Sequence, residues 1–131
     1  MRRLAILAAL GIAGGALWWR RRAPLRAVRA LDPRPGERVL VVGAGRHALA
    51  VARRVAPGGT LELVDPRREA LDDVLRRAAE EGIEGVVATQ ADPLALPFAD
   101  ASVDAAAAVG EHDARELRRV VRPGGRVVGG I

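Results

Sequence analysis

Short apolar runs that alternate with charged, helix-spaced segments constrain this chain more than any other feature. The runs are Arg38 to Val42, Thr60 to Val64, Val86 to Thr89, Val103 to Val109 and Arg126 to Val128. Between them, Arg46 to Ala56 reads as a helix, as does the stretch from Pro66 to about Glu81. A third helix capped by Asp113 is predicted to run to Val121. Glycine and proline punctuate the joints at Gly43, Gly45, Pro57 to Gly59, Gly82 and Pro123 to Gly125. Pro66 suits a first helical turn, where its missing N–H would have no partner anyway. Gln90 to Ser102 holds two prolines and little helix signal, so it reads as a loop. Strands alternating with helices imply a parallel sheet wound by right-handed crossovers. Such strands are buried on both faces, which is why they read as apolar runs. The fold class expected is α/β, a parallel five-stranded sheet with flanking helices.

Charge divides the chain of 131 residues in two. Residues 1–29 hold seven arginines and no acid, and so carry +7. The rest holds 14 arginines against all 16 acids and carries −2, so the net +5 belongs to the N-terminal segment. Within that segment, Leu4 to Trp19 is free of charge, and Arg20 to Arg22 follow Trp18 and Trp19 at once. A helix of that length reaches about 24 Å at about 1.5 Å per residue, short of a bilayer core of about 30 Å. Snorkelling arginines can cover the difference. Residues 1–22 are therefore read as a membrane anchor, residues 23–35 as a linker with a short amphipathic helix, and residues 36–131 as the globular domain. The heavier positive flank is C-terminal, which places that domain on the cytoplasmic side of a single-pass protein. A cleaved signal peptide and a buried core helix are the rival readings of the same run.

Composition removes several function classes. With no cysteine there is no disulfide scaffold, no iron–sulfur centre and no cysteine zinc site. No histidine–carboxylate group has metal-ligand spacing, so no metal is expected. The domain has one Phe, no Tyr and a mildly acidic balance, which offers nucleic acid neither a stacking platform nor a basic groove.

In an open parallel sheet a ligand sits beyond the carboxyl ends of the strands, where the strand order reverses. The turn there is Gly43-Ala44-Gly45-Arg46-His47-Ala48. Glycine lets a ligand approach the backbone, and the following helix offers free N–H groups. Asp65 closes the second strand twenty residues after Gly45, where a carboxylate can take both hydroxyls of a ribose. The turn also matches the dinucleotide pattern G-x-G-x-x-[GA], so an NAD-binding protein is one reading.

Further motifs follow in order: Leu63-Val64-Asp65-Pro66, Ala91-Asp92-Pro93-Leu94-Ala95-Leu96-Pro97-Phe98, Ser102-Val103-Asp104, and Leu117 to Gly125 ending in Pro123-Gly124-Gly125. With the first strand and turn, Val39 to Gly45, they resemble the class I S-adenosylmethionine-dependent methyltransferases of small-molecule type, over about residues 36–130. The resemblance implies a Rossmann-like sheet of order 3-2-1-4-5, S-adenosylmethionine as cofactor and a small-molecule methyl acceptor. It implies that Gly43, Ala44 and Gly45 lie under the methionine part of the cofactor. Asp65 and Pro66 would meet the ribose, Asp92 the adenine amino group, and Pro93 and Leu94 the ring. Gly110 and Glu111 would face the methyl sulfonium. The chain departs from the family at Val41, where an acid is usual, and at His47, where a third glycine is usual and a side chain would crowd the pocket. It also lacks the family's final helix and hairpin. That shortness suggests self-association or a partner at the C-terminal sheet edge.

Each candidate has a plainer reading. Gly43 and Gly45 can serve only a tight turn, Asp65 can cap the next helix, and Asp92 can be a loop acid. His112 can be a general base near the strand ends or a solvated loop histidine. No catalytic residue is assigned. Arg67, Arg68, Arg76 and Arg77 are expected to form a wet helix face with Asp72, Asp73, Glu80 and Glu81. The functions in view are a membrane-anchored methyltransferase, a catalytically inactive nucleoside- or partner-binding module, and an NAD-binding protein.

Overall fold

A computed structural model describes residues 23–129. The expected anchor, Leu4 to Trp19, lies outside the described residues, as do Gly130 and Ile131. Among the described residues, no helix is long and apolar enough to cross a membrane. The elements are α1 (Ala23–Leu31), β1 (Arg38–Val42), α2 (Arg46–Val55), β2 (Thr60–Asp65), α3 (Arg68–Glu80), β3 (Val86–Gln90), β4 (Val103–Ala108), α4 (Ala114–Val120) and β5 (Val121–Val128).

The five strands form one parallel sheet of order β3-β2-β1-β4-β5. The order reverses between β1, which pairs Val42 with Val64 of β2, and β4, whose Ala108 pairs with the same Val42. Alternate residues feed two cores, as the period of two along a strand requires. Val39, Val41, Leu61, Leu63, Ala105 and Ala107 pack under α1, α2 and α3. Leu40, Val42, Val64, Ala106 and Ala108 pack on the other face against Leu117 and Val120 of α4 and against Leu96 of the loop after β3.

Three elements differ from expectation. The short helix expected within 23–35 is α1, and it does more than link, because it turns Val28 and Leu31 into the first core and buries Ala27. Its C-terminal carbonyls are held from β5: the Arg126 Nε donates to the Leu31 carbonyl at 2.8 Å, and its Nη2 reaches Glu37 at 2.5 Å. The helix expected from Pro66 begins at Arg68, since Arg67 is still extended at φ −93° and ψ 111°. Strand β5 begins at Val121 rather than Arg126 and carries Pro123-Gly124-Gly125 within it, at a register shift against β4 between Val103 and Ala105. A Cβ at Gly125 would stand 2.4 Å from the Asp104 carbonyl oxygen, so only glycine lets the strands run this close. Helix α4 is capped as expected, with Asp113 Oδ1 accepting from the Arg115 and Glu116 N–H groups at 2.8 and 3.2 Å.

Candidate functional site

The carboxyl edge of the sheet brings most of the candidate residues together. Gly43 leaves β1 at φ +108°, and a Cβ there would meet the Val109 carbonyl oxygen at 2.4 Å. Glycine is therefore required by the close approach of the β1 and β4 ends, whatever else the turn does. The turn is tied to both neighbours, because the Gly43 N–H donates to the Val64 carbonyl and the Val109 N–H to the Val42 carbonyl, each at 2.8 Å. Gly45 precedes α2 with extended backbone, φ 166°.

Asp65 ends β2 and is 2% exposed. Its Oδ2 accepts from the Ala44 N–H at 2.8 Å, which joins the acid to the glycine turn as one unit. The Arg67 guanidinium grips the same carboxylate with two prongs, Nη2 to Oδ2 at 2.9 Å and Nε to Oδ1 at 3.0 Å. The Arg67 N–H adds a fourth bond, to Oδ1 at 2.8 Å. Burial pushes the Asp65 carboxyl up, but the Arg67 side chain and the two backbone donors outweigh it and hold the carboxyl below the usual carboxylate range. Part of the helix-cap reading is thus true, since the acid does take the N–H just ahead of α3. Arg67 is not on the wet helix face expected for it. Among the others expected there, Arg68 meets Asp72, Arg76 meets Asp73 and Glu80, and Arg77 meets Asp73. Glu81 instead pairs with Arg53 of α2.

Pro66 and the end of β3 adjoin Asp65. The Gln90 side chain donates to the Pro66 carbonyl at 3.0 Å, and Ala91 N–H reaches the Asp65 carbonyl at 3.4 Å. Asp92 follows, exposed, with Oδ1 accepting from Leu94 N–H at 2.9 Å in an Asx turn. Pro93 is buried beside it while Leu94 is 45% exposed. The loop is stapled to α4 by Arg119, which donates to the carbonyls of Phe98 (2.8 Å) and Leu96 (3.0 Å) and to Asp100 and Glu116. Hydrogen bonds that it donates to Glu116 and then to Asp100 raise the Arg119 guanidinium above its ordinary range.

On the far side, Gly110 turns at φ +92° and its carbonyl accepts from His112 Nδ1 at 2.8 Å. His112 is half-buried, and Glu111 is exposed. His47 is 4% exposed, and its Nε2 donates to the Gly43 carbonyl at 2.6 Å. The ring braces the turn from within, and its buried Nδ1 has no partner. Burial pushes the imidazole below its ordinary value, against the opposing pulls of the Gly43 carbonyl and Asp65. Val41 is fully buried in the first core and takes no part in the edge. Asp104 lies near the start of β4, away from the edge; it accepts from the Arg38 N–H and the Arg122 Nε, each at 2.8 Å. Among the described residues, no three His, Asp or Glu side chains gather as a metal site.

The two carboxylate oxygens of Asp65 are acceptors of the kind that a ribose diol needs. A diol needs two acceptor oxygens side by side, and Asp65 offers them on a rigid strand end next to a glycine turn. Two of its four bonds come from backbone N–H groups, and the other two from a side chain that is 53% exposed. Sequence reasoning missed Arg67 as a partner of Asp65, because it assigned the arginine to a helix face.

Comparison with known proteins shows the family and the fold. Residues 40–125 match the family described as a methyltransferase domain. The chain is 38% identical over 123 residues to a demethylmenaquinone methyltransferase of Thermus thermophilus, covering 88% of this chain and 54% of that protein. It is 34% identical to the nocamycin O-methyltransferase of Saccharothrix syringae, covering 78% of this chain and 40% of that one. The crystal structure of geranyl diphosphate C-methyltransferase from Streptomyces coelicolor superposes with a TM-score of 0.69 at 23% identity, over 82% of this chain and 44% of that one. The chain thus spans about half, or less, of the length of these relatives.

Proposed function

We propose a function from one premise: this chain belongs to the class I S-adenosylmethionine-dependent methyltransferases. Its cofactor is S-adenosylmethionine. We read the chain as a domain that moves the cofactor's methyl group to a nucleophile on a small molecule. The observation that carries the reading is the buried Asp65 carboxylate bonded to the Ala44 N–H of the turn. When bound, S-adenosylmethionine supplies an electrophilic methyl on a sulfonium. Asp65 would accept the ribose hydroxyls, and Pro66 would border the ribose. Asp92 and Pro93 would border the adenine. Gly43, Ala44 and Gly45 would pass beneath the methionine part, with Gly110 on the acceptor side. Holding the two reactants in line removes the entropy of bringing them together, and that is the main contribution assigned to these residues. Calorimetry with S-adenosylhomocysteine and with NAD tests the reading: the former is expected to bind and the latter not. The reverse preference would return the turn to its dinucleotide reading.

A second reading, a module that binds a nucleoside or a partner without turnover, is favoured by one observation: the Asp65 carboxylate is already fully bonded. Binding of S-adenosylhomocysteine without methyl transfer to any of a panel of small acceptors would support it.

We also propose that Leu4 to Trp19 anchors the chain in a membrane with the domain on the cytoplasmic side. The support is an uncharged run flanked by Arg2, Arg3 and Arg20 to Arg22. The full chain is then expected to stay with membranes in high salt. Release by salt would show surface electrostatics instead, which salt screens.

A further inference from the structure

We propose that Arg67 is a latch on the nucleoside site, occupying the Asp65 carboxylate until a ligand's hydroxyl pair displaces it. The inference rests on the reading of Asp65 as the ribose acceptor. A carboxylate has about four lone-pair positions, and all four are taken here. Oδ2 holds the Ala44 N–H and Arg67 Nη2, while Oδ1 holds the Arg67 N–H and Nε. A ribose diol needs two of them. The backbone bonds are built into the turn and the approach to α3, so the guanidinium bonds are the ones that yield.

The geometry makes this displacement feasible without unfolding anything. Asp65 is fixed at 2% exposure, whereas the Arg67 side chain is 53% exposed. Arg67 is the extended residue ahead of α3, so its side chain can fold back two residues onto Asp65 and swing away with no change in the helix. The bonded arrangement is then a competitor of the ligand, and the observed affinity is the intrinsic one reduced by the fraction of molecules in which the latch is open.

The test is titration calorimetry of the full chain with S-adenosylhomocysteine, using wild type, Arg67→Ala, Arg67→Lys, Asp65→Asn and the Asp65→Asn/Arg67→Ala pair. Arg67→Ala is expected to bind about three- to tenfold more tightly than wild type, with Arg67→Lys between them. Asp65→Asn is expected to bind more weakly, and in that background Arg67→Ala should change nothing. High salt should narrow the gap between wild type and Arg67→Ala by weakening the ion pair. If Asp65→Asn weakens binding while Arg67→Ala leaves it equal or weaker, the acid holds the nucleoside and the latch is wrong. If Asp65→Asn binds as wild type does, the ribose reading falls and the latch with it.

Discussion

The two faces of the sheet are covered differently. On the first, three helices press Val39, Val41, Leu61 and Leu63 into an apolar core that includes Val51, Val55, Leu71 and Val74. On the second, one short helix and a loop do the covering, and the loop is held by its buried Leu96 and by Arg119, which donates to its carbonyls. The first face is defended by volume, and the second by a smaller apolar core with directed polar bonds added to it. Burial scales with area and tolerates no cavity, whereas a stapled loop can lift without opening the sheet. The candidate site lies where the two regimes meet: the Asp65 end of β2 is rigid, and the loop from Ala91 to Phe98 is the adjustable wall.

That contrast predicts a graded set of effects. Leu63→Ala, in the first core, should lower stability by about 2–5 kcal/mol in urea unfolding, through lost burial and the cavity left behind. A loss under about 1 kcal/mol would mean that the core collapses around the gap and is not the defended face. Arg119→Ala should have a smaller global effect but a local one on the second face. Amide exchange of residues 91–101 should accelerate while β1 and β2 keep their protection. Uniform acceleration would show the loop to be part of one cooperative unit with the sheet.

The smallest effect is in the pH dependence. His47 is held neutral by burial, with its folded pKa below the ordinary 6.5. Its contribution is fully present above that value. It declines as pH falls below 6.5, because the unfolded chain takes up a proton that the folded one resists. The carboxyls of Asp65, Glu37 and Asp104 are held low, and their contribution goes at more acid pH, as pH falls through their folded values. His47→Gln should remove the first decline and leave the second. Persistence of both declines in the variant would assign the first to another group.

Much of this was legible in the residues, and the parts that were not share a cause. The strands of a parallel sheet are buried on both faces, so Arg38–Val42 and Thr60–Asp65 stand out from their neighbours by composition alone. Even the alanine-rich β4 keeps its place because Gly and loop residues bound it. The start of β5 was hidden because Pro123-Gly124-Gly125 has the composition of a terminator. Here it passes within a strand at a register shift, which only the packing against Asp104 explains. The amphipathic character of α1 was visible, but not the surface that receives its Val28 and Leu31. The Asp65–Arg67 pair was missed because the arginine was counted within a helix, where residues two apart do not face each other. It becomes visible once Arg67 is known to precede that helix in extended form.

The central claim is that the Asp65 end of β2 receives a nucleoside. Asp65→Asn keeps the shape of the side chain and removes its charge, so the titration of wild type and this variant with S-adenosylhomocysteine addresses the claim most directly. Saturable binding is expected for the wild type, weakened in the variant by about 1.5–3 kcal/mol, the range for a hydrogen bond to a charged group. Equal affinity in a folded Asp65→Asn variant would contradict it and leave Asp65 only as the brace between the glycine turn and α3.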